Sequence, residues 1–318
     1  METQNSGEEQ KKVDVSISCL TFNHEEYIRD TLDGFLMQQT EYSFEILIHD
    51  DASTDGTANI IREYEARYPN LIKPIYQKNN QYSRGLNGGM NHEYQFPRAR
   101  GRYYAFCEGD DFWTDPNKLQ IQVKFLEDNP DYSLCYHNYH VLKGEARVLH
   151  SKPKLEDMEL KDYANGLAGI QTLTVVARNI YHGLVVPANI LQFVTGSYFW
   201  FILAAASGKM KYIDTSMAVY RVNPSGIWSG KSKGEQGRMS LSNKYAMILY
   251  FAADREVCCI LKDVYVKSAS YYCMSALRSL DFASVSYFFR LSMRFGIRRV
   301  HFTAMPTLIL KKMQLVKS

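Results

Sequence analysis

Between Val13 and Asp128 the chain repeats one plan: an apolar run of strand character, a polar turn carrying carboxylates, and a stretch with apolar residues at helical spacing. Strands that alternate with helices are joined by crossovers, so they lie mostly parallel in one sheet covered on both faces. The first unit opens with Val13-Asp14-Val15-Ser16-Ile17-Ser18-Cys19-Leu20, alternating as a strand does, and continues through Thr21-Phe22-Asn23-His24-Glu25-Glu26. Asn23 with Glu26 three residues on has the form of a capping box, and Ile28, Leu32, Phe35 and Leu36 follow on one helical face. The second unit runs from Phe44 to His49, then Asp50-Asp51-Ala52-Ser53-Thr54-Asp55-Gly56-Thr57, then a helix through Ile60, Ile61 and Tyr64. Its paired aspartates suit the N–H of a nucleobase and ribose hydroxyls; the plainer reading is a helix start rich in capping residues. A short third strand, Leu71 to Tyr76, leads into an amide- and glycine-rich loop. There Arg84 is in reach of a phosphate or ribose, or is simply solvated.

The fourth unit, entered through Arg100-Gly101-Arg102, is the most informative. Tyr103 to Cys107 reads as a strand, and Glu108-Gly109-Asp110-Asp111-Phe112-Trp113-Thr114-Asp115-Pro116 follows. Carboxylates packed this closely repel, and each resists ionising unless a cation or a donor-rich ligand sits among them. Mn²⁺ or Mg²⁺ answers that need, being held by one or two protein carboxylates while phosphate oxygens complete the shell. Gly109 permits a tight turn, Asp115-Pro116 reads as an N-cap and first helical residue, and Leu119, Val123 and Leu126 share a helical face. The acids therefore stand at a strand's carboxyl end, where open α/β sheets place ligands. The plainer reading is an acidic surface turn with a helix cap.

With 318 residues, 46% hydrophobic and 22% charged, the composition is that of a globular protein with one large domain and an extension. A net charge of +3 gives no argument for a nucleic-acid partner. Six cysteines show no metal-ligand spacing, and Cys19, Cys107 and Cys135 lie in apolar strands, which predicts reduced core thiols and a cytoplasmic location. No run reaches the ~18 apolar residues of a spanning helix, and residues 1–12 read as a frayed, polar start without a signal core.

Taken in order, Thr21-Phe22-Asn23, the run Asp50 to Thr57, Arg100-Gly101-Arg102-Tyr103 and the run Glu108 to Pro116 make the N-terminal two-thirds resemble the inverting family 2 glycosyltransferases of the GT-A fold, in the bacterial branch that builds capsules, lipopolysaccharide and other surface glycans. The resemblance implies a GT-A domain over residues 13–235, a mixed, mostly parallel sheet flanked by helices, with a helical extension over 236–318. It implies a nucleotide-diphosphate sugar as donor, UDP-linked by default with GDP and dTDP open, and a glycan or lipid-linked oligosaccharide as acceptor. It further implies that Asp50 and Asp51 contact the donor base, Asp110 the ribose side, and Asp111 the Mn²⁺ or Mg²⁺ that bridges the diphosphate. Thr21, Phe22, Asn23, Glu25, Ser53, Arg84 and Glu108 complete the donor side. Nucleotidyltransferases and dinucleotide-dependent oxidoreductases rank below this reading, because both expect a glycine-rich phosphate loop after the first strand.

Further along, Tyr132 to His137 reads as a strand, and Lys143 to Lys161 as a pattern-poor loop on the acceptor side, where Trp113 and His137 are also expected. His137 and His140 have a spacing that allows metal ligation, though packing explains it as well. Thr172 to Val176 reads as a strand. Thr195-Gly196-Ser197 opens an apolar helix, and where Ser197 stands the family usually carries an aspartate, the general base. A serine hydroxyl is no base unless activated, so a nearby carboxylate substitutes, the acceptor needs little activation, or the protein binds donor and turns over poorly. Tyr212-Ile213 and Met217 to Arg221 read as strands, with Arg221 as a phosphate-side cation and Val222 to Gly230 as a lid that carries Trp228 on the acceptor side. From Ser240 the pattern is helical, and Arg290, Arg294 and Arg298 beside aromatic residues suit either a solvated basic face or peripheral contact with an anionic membrane.

Overall fold

The computed structural model describes residues 12–86, 88–223, 231–278 and 281–293. Four strands, β1 (Val15–Thr21), β2 (Phe44–Asp50), β3 (Ile72–Tyr76) and β4 (Tyr103–Phe106), run parallel. They are followed in the chain by β5 (Phe112–Trp113), β6 (Tyr132–Lys143), β7 (Ala146–Leu149), β8 (Asp157–Met158), β9 (Val176–Arg178) and β10 (Lys209–Arg221). The sheet has the order β3-β2-β1-β4-β9-β6-β10-β5, with β7 and β8 paired to β6 and β10 at its margin. β9 is antiparallel to both its neighbours, while β6 and β10 are parallel to each other.

Strand periodicity divides the core in two. Val15, Ile17 and Cys19 with Tyr103 and Ala105 face α1 (Ile28–Leu36), α2 (Thr57–Arg67) and α3 (Lys118–Asp128). Leu119, Val123 and Leu126 are buried there, as their spacing predicts. Tyr104, Phe106 and Tyr136 face the other way. They meet α4 (Leu160–Ala164), α5 (Ala188–Leu191), α6 (Tyr198–Ser207), α7 (Lys233–Tyr250), α8 (Arg255–Arg278) and α9 (Phe282–Met293). α6 packs on β6, and α7 to α9 pack in turn on α4 to α6 and on one another.

Ser16 and Ser18 are buried, as a sheet covered on both faces requires, Ser16 donating to Glu45 at 2.8 Å and Ser18 to Asn91 at 2.8 Å. From the turn after β1 onward, several local expectations are corrected. The Asn23–Glu26 capping box does not form, because Asn23 takes a left-handed φ of 53° and α1 starts beyond it. Asp115 accepts from the Asn117 N–H at 2.8 Å in a turn, and α3 begins at Lys118 rather than at Pro116. Thr172–Thr174 is a 3₁₀ turn leading into β9, the supposed loop after Lys143 contains β7 and β8, and the two strands expected near Tyr212 are one long β10.

The entry to β4 shows why Arg100-Gly101 stands where it does. Glu45 is 2% exposed, and its carboxylate accepts from Ser16, the Arg100 N–H and the Arg100 guanidinium. Removing the arginine would strand a buried charge, at a cost of about 3–5 kcal/mol. A Cβ on Gly101 would lie 2.4 Å from the Ser16 nitrogen, so only glycine fits.

Candidate active site

β1, β2 and β4 end side by side, and the turns after them are tied into one unit. The Asn23 N–H donates to Ser53 Oγ at 2.9 Å, the Thr54 N–H to Asn23 Oδ1 at 2.8 Å, the His24 N–H to Thr57 Oγ1 at 2.8 Å and the Gly56 N–H to Glu25 Oε2 at 2.8 Å. Ala52, at φ 63°, shares with Asn23 a left-handed backbone that side chains disfavour. Strain of this kind persists where surrounding bonds over-determine it. Asn23, Glu25 and Ser53 therefore shape the turns.

The paired aspartates are similarly engaged. Asp50 accepts a short bond from Ser53, and burial holds its carboxyl above the usual range. Asp51, 2% exposed, accepts from the N–H groups of Gln81 at 2.6 Å and Tyr82 at 3.0 Å, which pins the loop bearing Arg84. A carboxylate has room for about four hydrogen bonds. Arg84 is exposed on that loop, and Phe22 is 41% exposed at the end of β1.

The acid turn is packed without slack. A Cβ on Gly109 would sit 2.6 Å from Thr21 Oγ1 and 3.0 Å from His24 Nδ1. The Thr31 hydroxyl lies 2.6 Å from the Asp111 carbonyl, and the Asp111 N–H donates to the Glu108 carbonyl at 3.1 Å. The Arg221 N–H donates to Asp111 Oδ1 at 2.8 Å, and Arg221 Nη1 to the Asp110 carbonyl at 3.0 Å. The guanidinium also pairs with Asp30 and stacks 4.3 Å from the centre of the Phe112 ring. His24 Nε2 lies 3.8 Å from Asp110 Oδ2, and burial lowers its pKa. Glu108 accepts a short bond from Thr172, and burial pushes its carboxyl up to about 7. Asp111 is raised well above the carboxylate range, by burial first and then by Asp110 and Glu108, against which Arg221 acts.

Asp110, Asp111, Glu108 and Arg221 thus converge, as their positions in the sequence suggest. His24, Asp30 and Thr172 join them unforeseen: His24 stood inside a turn already marked, whereas Thr172 carried no signal. Trp113 does not line the acceptor side. It is 1% exposed, donates to the Leu173 carbonyl at 3.0 Å and packs against Phe35 as a pillar under the turn. The His137 ring is buried with Nδ1 on the Asn138 carbonyl at 2.6 Å, and His140 Nδ1 lies 2.8 Å from Ser216 Oγ, so the pair shares no ligand. Ser197 is the N-cap of α6, in a loop held by Asn243 of α7 through Thr195. Trp228 and the lid from residue 224 to 230 lie outside the described residues, as do Arg294 and Arg298.

Parallel strands ending in a carboxylate turn, beside an antiparallel pair that carries the opposite wall, define a nucleotide-diphospho-sugar transferase fold of the GT-A type. The family model for glycosyl transferase family 2 matches residues 16–183, and the chain belongs to that family. It is 39% identical over 217 residues, 67% of its length, to the uncharacterized protein Rv1520 of Mycobacterium tuberculosis, and spans 60% of that relative. It is 32% identical over 153 residues to the UDP-Glc:alpha-D-GlcNAc-diphosphoundecaprenol beta-1,3-glucosyltransferase WfaP of Escherichia coli, covering 48% of this chain and 57% of that one. Among solved structures, residues 1–349 of S. aureus TarS in complex with UDP-GlcNAc superimpose with a TM-score of 0.57 at 16% identity, covering 80% of this chain and 71% of the other.

Proposed function

We propose that the protein transfers a sugar from a nucleotide-diphosphate donor, UDP-linked in preference, to a hydroxyl of a glycan or lipid-linked acceptor, with inversion at the anomeric carbon, during synthesis of a surface polysaccharide. One observation carries the reading: Asp111 is buried at the end of β4, crowded by Asp110 and Glu108, with a single backbone N–H on its carboxylate. So much negative potential calls for a cation. Among the described residues no three His, Cys, Asp or Glu side chains form a cage. Asp111 would hold Mn²⁺ or Mg²⁺, hard cations that take oxygen ligands. Such an ion supplies Lewis-acid stabilisation of charge on a leaving diphosphate.

The chain's own groups do the rest. The Arg221 guanidinium, already fixed against Phe112 and Asp110, is placed to hold phosphate oxygens once it exchanges its partner Asp30. Asp110 and His24 border the ribose side, and the turns after β1 and β2 shape the base pocket. The UDP and UDP-GlcNAc complexes of TarS and the donor named for WfaP favour UDP. Among the described residues no helix is long and apolar enough to cross a membrane. A lipid-linked acceptor would draw the protein to the anionic inner face of one, with exposed Arg290 of α9 toward it.

The test is to incubate purified protein with Mn²⁺, UDP-, GDP- and dTDP-sugars and extracted lipid-linked acceptors. A glycosylated product with inverted linkage is expected, and calorimetric titration of the three nucleotides ranks them. No product from any combination would reject transfer. A second reading, a donor-binding member that turns over poorly, is favoured by Ser197 alone. If UDP binds without product, Ser197→Asp should restore turnover, and no gain would remove serine as the cause.

A further inference from the structure

Beyond the acid turn lies a cavity of about 120 Å³ between the middle of β6, the end of β10 nearer Lys209, the segment 150–153 and the segment 167–169. It has room for several waters or one sugar-sized ring. Its walls pair an aromatic face with polar groups that lack partners. Tyr139 stacks on His150 with ring centres 4.5 Å apart. Tyr136 is 3% exposed, and its hydroxyl is buried without a hydrogen bond. Asn138 spends its side-chain oxygen on the Tyr139 N–H at 2.9 Å, and His137, also in the wall, has Nε2 buried without a partner. A buried hydroxyl without a partner costs about 1–3 kcal/mol, so a ligand or ordered water is expected on it.

The strands are also irregular here. β10 shifts register against β6 between Ile213 and Ser216 and again between Ser216 and Val219, opposite His137 to His140. Bulges of this kind re-aim side chains beside active sites. Tyr139 meets Tyr220 edge to face at 6.4 Å, and Tyr220 adjoins Arg221, whose N–H holds Asp111. Tyr139 and Tyr220 therefore link the cavity wall to the acid turn.

The charge at its rim is neutralised. Lys152 pairs with Asp214, which also accepts from the Tyr212 hydroxyl at 3.3 Å. With its lysine taken, the cavity favours a neutral, hydroxylated ligand over a phosphate. We propose that it is the subsite for the acceptor's sugar ring, a pyranose that stacks on Tyr139 and exchanges hydrogen bonds with the Tyr136 hydroxyl and the Asn138 amide. This rests on the glycosyl-transfer reading and adds to it where the acceptor sits and that its recognised unit is an uncharged sugar.

The experiment is saturation-transfer NMR with methyl glycosides of glucose, N-acetylglucosamine, galactose and mannose, on the full chain with UDP and diamagnetic Mg²⁺. At least one glycoside is expected to receive saturation at its ring protons and to be undisturbed by inorganic phosphate. Tyr136→Phe removes one hydroxyl and should weaken that glycoside about tenfold. Gly169→Trp, at an exposed loop position where an added Cβ meets nothing within 4 Å, should abolish the signal by filling the cavity. No saturation of any glycoside, displacement by phosphate, or a signal unchanged in both variants would overturn the proposal. So would weakening of UDP in either variant, which would assign the cavity to the donor. If none of UDP, GDP and dTDP binds the unaltered chain, the glycosyl-transfer reading itself fails; if one of them binds and no glycoside does, only this subsite fails.

Discussion

The turns after β1 and β2 and the middle of β6 and β10 are built in opposite ways. In the first region almost every polar side chain has a protein partner: Asn23, Ser53, Thr57 and Glu25 bond across the two turns, and Asp51 holds two backbone N–H groups. The second region leaves the Tyr136 hydroxyl and His137 Nε2 without partners and breaks strand register twice. The contrast teaches a division of labour. A site preorganised by its own bonds suits a ligand of constant shape, such as a nucleotide diphosphate, while unspent polar groups and bulged strands leave hydrogen bonds for a second ligand to make.

The sharpest way to break this contrast is Asp111→Ala. If the donor side is prebuilt around a cation, the variant should lose about a thousandfold in turnover, about 4 kcal/mol, together with Mn²⁺-dependent affinity for UDP by calorimetry. Retention of both would mean that the acid turn is merely a well-packed corner.

A second test reads the same turn through pH. Burial holds Glu108 at about 7 against an ordinary 4.5, so the native state takes up its proton more readily than the unfolded chain does. The stability this confers is present below pH 4.5 and is lost as pH rises to 7, a fall of about 3 kcal/mol. Lys118, buried against the Trp113 ring and lowered to about 7, acts in the opposite sense between pH 7 and its ordinary 10.5, so the two do not overlap. His49, which burial lowers to about 4 from an ordinary 6.5, adds stability as pH rises through the same window, so the Glu108 effect is read as a difference: in denaturant titrations of metal-free protein from pH 4.5 to 7, Glu108→Gln should gain stability relative to the parent as pH rises. An equal slope in the variant would assign the effect to other groups.

What was legible in the sequence follows the same divide. β1 to β4 and α1 to α3 announce themselves by periodicity, and the acid turn by its density of carboxylates. Capping patterns misled, because Asn23 and Asp115 carry the right side chains but were drawn into turn bonds with Thr54 and Asn117. Trp113 misled for a related reason: next to the acid turn in sequence, it points into the core, where Phe35 and Lys118 claim it. Thr172 and Tyr136 reach their places through strand order. β9 inserts between β4 and β6 by long-range antiparallel pairing that no local pattern encodes.

Gly109→Ala probes how tight the prebuilt side is. The added methyl would overlap Thr21 Oγ1 at 2.6 Å and Thr21 Cβ at 2.8 Å, and a threonine on a buried strand has nowhere to turn. Overpacking at such a point costs about 2 kcal/mol, read as a lower denaturant midpoint with an unchanged slope. A variant as stable as the parent would show slack that the hydrogen bonds do not suggest.

The smallest effect is expected at Ser197, and its smallness is informative. The residue is the N-cap of α6, yet its side chain makes no capping bond, and its loop is held instead by Asn243 of α7. A hydroxyl at ordinary acidity takes no proton from an acceptor near neutral pH. Ser197→Ala should therefore leave kcat within about threefold and stability within about 0.5 kcal/mol. Removing a working general base would instead cost about a hundredfold or more. Such a loss, measured as initial rates at saturating donor, would show that the serine is activated after all and would move part of the chemistry from the preorganised side of the molecule to the loop that α7 supports.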